Sequence, residues 1–237
     1  RAWFPISDDE IGYSDLLDYI HWDPSLSRIR INQGESGKVL AIHEWRKQSL
    51  IIFKNRCTYL LDGYTDLKSA VLQVVSPDVG CIARRTVSSI GADVIWLADN
   101  GVYKLSEVLA DSQQMGAVPI SQPISDTILR INWSAASGAC AKLCGRYWML
   151  AVPLDGSPVN NAVLVYDIVT GYWQGTDTWQ FQEESAKVNY SKPGDYLFLW
   201  SPSRQLAPVL RMSGSNLPTL TASVMIKSRL FGRDTAF

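Results

Sequence analysis

Gly34-Glu35-Ser36-Gly37-Lys38 carries the glycines and lysine of a loop that cradles phosphate. The full pattern, G-x-x-x-x-G-K followed by Ser or Thr, asks for glycine where Asn32 stands and for a hydroxyl where Val39 stands. The first tight turn and the magnesium-binding hydroxyl are both missing, and an apolar strand follows instead of a helix. The segment reads as a polar turn. Nucleophilic catalysis needs a Ser or Cys, a His base and an orienting carboxylate, and the chain has only two histidines to offer, His21 and His43. His21 lies in an aromatic turn, Tyr19-Ile20-His21-Trp22-Asp23-Pro24, and His43 on a predicted strand beside Glu44. No G-x-S-x-G elbow accompanies them.

Acidic neighbours such as Asp8-Asp9 and Glu183-Glu184 have the residue types of a glycosidase acid and base. That chemistry requires carboxylates opposed across a substrate, whereas adjacent acids in polar loops read as solvated groups. Cys57, Cys81, Cys140 and Cys144 form no C-x-x-C pair and are too few for a disulfide framework in 237 residues. Buried free thiols are expected; Cys140 and Cys144, four apart, are the one pair whose spacing invites a bridge or a metal. Trp22, Trp173 and Trp179 in loops have the surfaces for stacking on sugars and equally for packing between sheets, and packing is the expectation. Arg84-Arg85 is too small a basic pair for a nucleic-acid footprint. Expected catalytic, cofactor-binding and metal residues are therefore none, and the chain reads as a non-enzyme.

What must position these residues is a repeat. Laying Gln48–Gly63 over Ala92–Glu107 without a gap puts Ser49 on Asp93 and Tyr59 on Tyr103, an offset of 44 residues. Each copy is an apolar strand, a tight polar turn (Lys54-Asn55-Arg56 or Asp99-Asn100-Gly101) and a second strand ending in Tyr-x-Leu. That pattern predicts a β-hairpin, with Asn100-Gly101 supplying the positive φ values of a two-residue turn. A third copy starts at Tyr147-Trp148-Met149-Leu150-Ala151, 54 residues after Asp93, and pairs with Ala162–Ile168 across the turn-rich Pro153–Asn161. A fourth, weaker one starts at Tyr196, 49 residues further on, and pairs with Ala207–Met212. These periods match the 40 to 50 residues of a four-stranded propeller blade. Val39–His43, Val71–Val75, Thr86–Ile90 and Gly171–Gln174 supply flanking strands. The single helical pattern, Pro123–Ile131, puts Ile124, Ile128 and Ile131 on one face with Ser125 as its cap.

The predicted fold is all-β: a β-propeller of four-stranded antiparallel blades, at least four in this chain, incomplete or closed by additional segments. Residues 1–31 form an N-terminal segment contributing to a blade or linker, 32–214 the blades, and 215–237 a strand-like end that closes the ring or leads to another domain. The chain begins Arg1-Ala2-Trp3-Phe4-Pro5, without Met and without a signal-peptide pattern, which together with the shortage of blades implies part of a larger closed ring. Hydrophobic residues make up 46% of the sequence, ample for a large core, and 22 Lys and Arg against 23 Asp and Glu create no field to attract nucleic acid or an anionic membrane. No run of apolar residues is long enough to span a bilayer as a helix.

The stretch Val75-Ser76-Pro77-Asp78-Val79-Gly80-Cys81-Ile82-Ala83 through Asp99-Asn100-Gly101-Val102-Tyr103 resembles bacteriophage tail proteins. Gly12-Tyr13-Ser14-Asp15 through Trp22, and Leu50-Ile51-Ile52-Phe53-Lys54-Asn55, are similar to further phrases of the same family, although Leu17-Asp18-Tyr19 replaces its Asp-Pro. The family contains the propeller-bearing nozzle (tail tubular) proteins of short-tailed phages. The resemblance implies a virion structural protein, made in the host cytoplasm, that assembles with copies of itself into a ring. It further implies docking to other tail proteins such as adaptor and fibres, passage of DNA through the ring, no cofactor, and no site residues carried over. A carbohydrate- or receptor-binding propeller is the alternative.

Overall fold

The computed structural model describes residues 1–32, 37–45, 48–106, 118–177, 187–190, 196–200 and 209–211. For Cys144, Asp177 and the last three stretches the description is of backbone. Among the described residues, strands in chain order form five antiparallel sheets, each a meander in which neighbours in sequence are neighbours in space. The first holds β1 (Trp3–Pro5), β2 (Glu10–Tyr13) and β3 (Arg28–Arg30), so residues before Asn32 build a sheet of their own. The second holds β4 (Val39–Glu44), β5 (Ser49–Lys54), β6 (Thr58–Asp62) and β7 (Val71–Ser76). The third holds β8 (Ser88–Ile90), β9 (Asp93–Ala98), β10 (Gly101–Leu105) and β11 (Val118–Pro119). The fourth holds β12 (Cys140–Cys144), β13 (Tyr147–Val152), β14 (Ala162–Asp167) and β15 (Tyr172–Asp177), and the fifth β16 (Lys187–Tyr190), β17 (Tyr196–Trp200) and β18 (Val209–Arg211). The protein is all-β. Residues 215–237 lie outside the described residues.

The repeat holds at the level of hydrogen-bond register. Tyr59 lies opposite Ile52 in the second sheet, and Tyr103 lies opposite Trp96 in the third, so both members of the pair are displaced by the same 44 positions. The turns differ from expectation in one respect. Ala98 pairs with Gly101, which leaves Asp99-Asn100 as the loop. Neither of these has positive φ; Gly101 carries it, at 152°. Glycine is required there because a Cβ would sit 2.4 Å from Ser121 Oγ, the oxygen that accepts from the Val102 amide at 2.9 Å. The turn with two left-handed residues is in the third copy: Asp155 (φ 54°) and Gly156 (φ 76°), closed by the Ser157 amide on the Leu154 carbonyl at 3.0 Å.

The chain divides into two compact units, Arg1–Ser121 and Gln122–Phe237. In the first, the second sheet is covered on both sides. Successive residues of a strand point to opposite faces, so Leu50 and Ile52, with Tyr59 and Leu61, pack toward Ile11 and Ile31 of the first sheet and its connection. Ile51, Phe53 and Leu60 pack toward Val94, Trp96 and Leu105 of the third. All six residues of β5 are consequently buried. Phe53 meets Trp96 at a ring-centroid distance of 5.0 Å, and Trp96 stacks on Tyr103 at 6.4 Å.

The connection from β7 to β8 closes this stack. Gly80 lies against the turn between β5 and β6, where a Cβ would come within 2.3 Å of the Lys54 carbonyl oxygen and the Asn55 carbonyl carbon. The Cys81 amide then donates to the Lys54 carbonyl (2.9 Å), and the Ile82 amide to the Leu97 carbonyl (3.1 Å). Thr86 Oγ1 donates to the Ala83 carbonyl (2.7 Å) and accepts from the Leu97 amide (3.0 Å). Trp96 Nε1 donates to the Gly80 carbonyl at 2.9 Å. The Gly-Cys-x-Ala sequence is thus a clasp: small residues where the backbones of two sheets approach.

In the second unit β14 is buried throughout, and β13 after its first residue. Asp167 organises the turn into β15, accepting from the Val169 and Thr170 amides at 3.0 and 3.4 Å and from Arg146 Nε at 3.0 Å. The Arg146 guanidinium, with those amides, holds the Asp167 carboxyl down to about 2. Helix α1 is only Ser125–Leu129, preceded by a 3₁₀ turn at Gln122–Ile124. Ile128 and Ile131 are buried as the spacing predicted. Ser125 is not the cap: it is the first helical residue, Ile124 holds the cap position, and no side chain caps the end.

Candidate functional site

The structure brings one of the two histidines to a hydroxyl. His43, near the end of β4, and Ser89, at the centre of β8, place Nε2 and Oγ 2.6 Å apart. Burial lowers the His43 pKa below 6.5, against the opposing pull of Glu44, so the imidazole is neutral and basic at neutral pH. A working nucleophile also needs a carboxylate on the other ring nitrogen. Glu44 follows His43 on the strand, which sends its side chain to the opposite face, and there it accepts from the Tyr64 hydroxyl at 2.8 Å. The pair therefore ties the second sheet to the third at their first strands, as Trp45 Nε1 does through the Ala92 carbonyl at 2.8 Å.

His21 is elsewhere. It lies exposed in the β2–β3 loop with Nδ1 2.6 Å from Asp18 Oδ2. Hydrogen bonds to the Ile20 and His21 amides and to the imidazole lower the Asp18 carboxyl to about 2, and the same carboxylate raises His21 above 6.5. Asp18 thus favours the charged form of His21 and holds its ring within the loop.

The acidic pair Asp8-Asp9 separates in role. Asp9 Oδ1 is 2.6 Å from Lys54 Nζ, a fully buried ammonium that also donates to the Asn32 carbonyl at 3.0 Å. This ion pair joins the first sheet to the second. Sequence reasoning passed over it, although a signal existed: Lys54 stands where the later copies have Ala98 and Val152, a charge in an otherwise apolar register. The Glu183-Glu184 pair and Trp179 lie outside the described residues. So do residues 34–36; Lys38 is exposed and leads directly into β4, its amide donating to Asn55 Oδ1 at 3.0 Å.

Trp22 packs edge-on against Phe4 at 5.0 Å, and Trp173 against Tyr166 at 5.1 Å and Trp148 at 6.4 Å. Both tryptophans are half-buried in packing. Arg84 and Arg85 are exposed on a 3₁₀ turn, Arg84–Thr86.

Cys57, Cys81 and Cys140 are buried, and Cys81 is a free thiol. Cys140 and Cys144 are the two ends of β12. Four strand residues span about 13 Å, well beyond the separation a disulfide bridges, so the bridge that their spacing invited is excluded. Burial pushes the Cys81 thiol up to about 12, which leaves it protonated and without nucleophilic character. Among the described residues no group of three His, Cys, Asp or Glu converges as a metal site, and no helix is long and apolar enough to cross a membrane.

The fold and its side chains define an all-β protein of serial antiparallel meanders, stacked face to face in the first unit. No family model matches the chain, and no curated protein matches it in sequence.

Proposed function

We propose that the chain is a structural component of a bacteriophage tail, similar to a nozzle protein: its meanders are blades of a β-propeller, and copies of it assemble into a ring through which DNA passes, docked to neighbouring tail proteins in the virion. One observation supports this reading above the others. Hairpins in identical register, 44 residues apart, lie on stacked four-stranded meanders, and the linker between them carries the Gly-Cys-x-Ala phrase on which the likeness to tail proteins rests.

The side chains suit a scaffold. Lys54–Asp9, His43–Ser89 and the two tryptophan indoles that donate to backbone carbonyls all tie one sheet to the next. The sugar-binding alternative loses support because Trp22 and Trp173 are half-buried against Phe4, Tyr166 and Trp148. Electron microscopy and native mass spectrometry of the purified protein test the proposal. Rings of several copies, and the protein's presence in purified particles, are expected; a strictly monomeric protein absent from particles overturns it.

A further inference from the structure

We infer that Asp155-Gly156, in the connection from β13 to β14, is a site of spontaneous isoaspartate formation, a covalent backbone modification that the Arg130 guanidinium holds in check.

The reaction needs a side-chain carboxyl followed by a sterically open residue whose amide nitrogen is not already engaged. The chain contains two Asp-Gly steps, Asp62-Gly63 and Asp155-Gly156. At the first the nitrogen is spent: the Gly63 amide donates to the Gln48 carbonyl at 2.8 Å, and Asp62 Oδ1 accepts from the Ser49 hydroxyl at 2.7 Å. At the second it is not. The Ser157 amide closes the turn on the Leu154 carbonyl, and the Gly156 amide makes no hydrogen bond among the described residues. Asp155 and Gly156 are both exposed, and nothing lies within 4 Å of where a Gly156 Cβ would stand. Asp155 also holds a left-handed backbone (φ 54°), which is strained for a residue with a β-carbon.

What opposes the reaction is Arg130. The Arg130–Asn132 segment runs antiparallel to Pro153–Asp155: Ile131 bridges Leu154, the Asp155 amide donates to the Arg130 carbonyl at 2.9 Å, and the Asn132 amide to the Pro153 carbonyl at 2.9 Å. That backbone tie brings the guanidinium to the carboxylate, with Nε donating to Oδ1 at 2.9 Å and Nη2 to Oδ2 at 2.6 Å. One planar fork thus holds both oxygens, and it lowers the Asp155 pKa. Ring closure forms a bond from the Gly156 nitrogen to the Asp155 side-chain carboxyl carbon and breaks one carbon–oxygen bond there. The amide proton and the carboxyl OH leave as water. A carboxylate must take up a proton before its oxygen can leave in this way, so a partner that keeps it ionised and fixed slows the step. Water then reopens the ring. Attack at the side-chain carbonyl restores aspartate; attack at the backbone carbonyl gives isoaspartate, with one more carbon in the main chain.

Peptide mapping by mass spectrometry after warm incubation of the full chain tests the inference. The product is an Asp155 peptide of unchanged mass and altered retention that accepts a methyl group from a protein isoaspartate methyltransferase. It should accumulate about two- to fivefold faster in Arg130→Ala than in the natural sequence, the factor that an exposed ion pair supplies. Arg130→Lys keeps the charge without the fork and should fall between the two. Asp155→Glu should abolish the product, because closure would then need a larger ring. Deamidation at Asn100-Gly101 is told apart by its change of mass. No product at Asp155 in either chain, equal rates with and without Arg130, or faster modification of Asp62 overturns the inference. A thermal melt of Arg130→Ala that matches the natural sequence assigns the acceleration to the lost clamp, as expected; a lowered melt with modification spread over other aspartates assigns it to unfolding and overturns the inference.

Discussion

His21 and His43 show how one side-chain type takes opposite chemistry from its surroundings. Asp18 stabilises the His21 imidazolium by hydrogen bond and charge, so its pKa is raised; burial disfavours the charged form of His43, so its pKa is lowered. Since the chain has only these two histidines, an NMR titration should show two resolved imidazole transitions, His21 above 6.5 and His43 below it. The linkage signs differ accordingly. His21 contributes stability that is present below 6.5 and is lost as pH rises through its raised value, a small effect at an exposed site. For His43 the unfolded chain takes the proton first, so stability falls as pH drops below 6.5 toward its lowered value. Asp18→Asn should return His21 to the ordinary range and leave His43 unmoved. Coincident titration of both at 6.5 would show that neither the Asp18 contact nor the His43 burial exists in solution.

Among elements, the linker from β7 to β8 carries the sharpest constraint. Gly80 meets the β5–β6 turn through backbone atoms, at 2.3 Å from where a Cβ would stand, and backbone at a hairpin turn cannot swing aside as a flexible side chain can. Gly80→Ala should therefore destabilise the protein by about 1 to 3 kcal/mol through overpacking, read as a lower midpoint in urea unfolding. Gly138→Ala, where nothing lies within 4 Å of the new Cβ and φ is not positive, should cost far less. Equal midpoints would refute the clasp. The long strands were legible in sequence because each carries a full apolar run bounded by turn residues, as in Ser49–Lys54 and Asp93–Ala98. Several of the others were not. Trp3–Pro5 and Val118–Pro119 hold too few residues to show a period, and Cys140–Cys144 breaks alternation where Cys140 adjoins Ala141 and Leu143 adjoins Cys144. Ser125 misled as a cap because a 3₁₀ turn, Gln122–Ile124, runs straight into the helix and puts Ile124 at the cap position.

At the scale of the whole molecule, what the sequence made visible was repetition, and what it hid was contact. A period survives in one dimension, whereas Asp9 reaching Lys54, or His43 reaching Ser89, depends on which sheets lie side by side. Charge is the whole-molecule property that needs no contact to be read. Protein that grips duplex DNA does so chiefly by neutralising phosphates, and each one adds to the salt dependence of binding. Here 22 basic residues face 23 acidic ones, and several of the arginines and lysines are already spent: Arg146 on Asp167, Arg130 on Asp155, Lys54 on Asp9, and Arg28 and Arg30 on Glu10. Among the described residues Arg84 and Arg85, exposed side by side, are a pair rather than a stripe. In the proposed ring such a balance suits the passage of DNA, because attraction to phosphate would retard sliding. Gel retardation of duplex DNA at about 0.15 M salt should show no complex, and at lower salt any residual binding should vary with salt no more steeply than a contact of about two phosphates allows. A slope several times larger would mean that assembly gathers basic side chains onto one surface, and a gripping rather than a conducting role would follow.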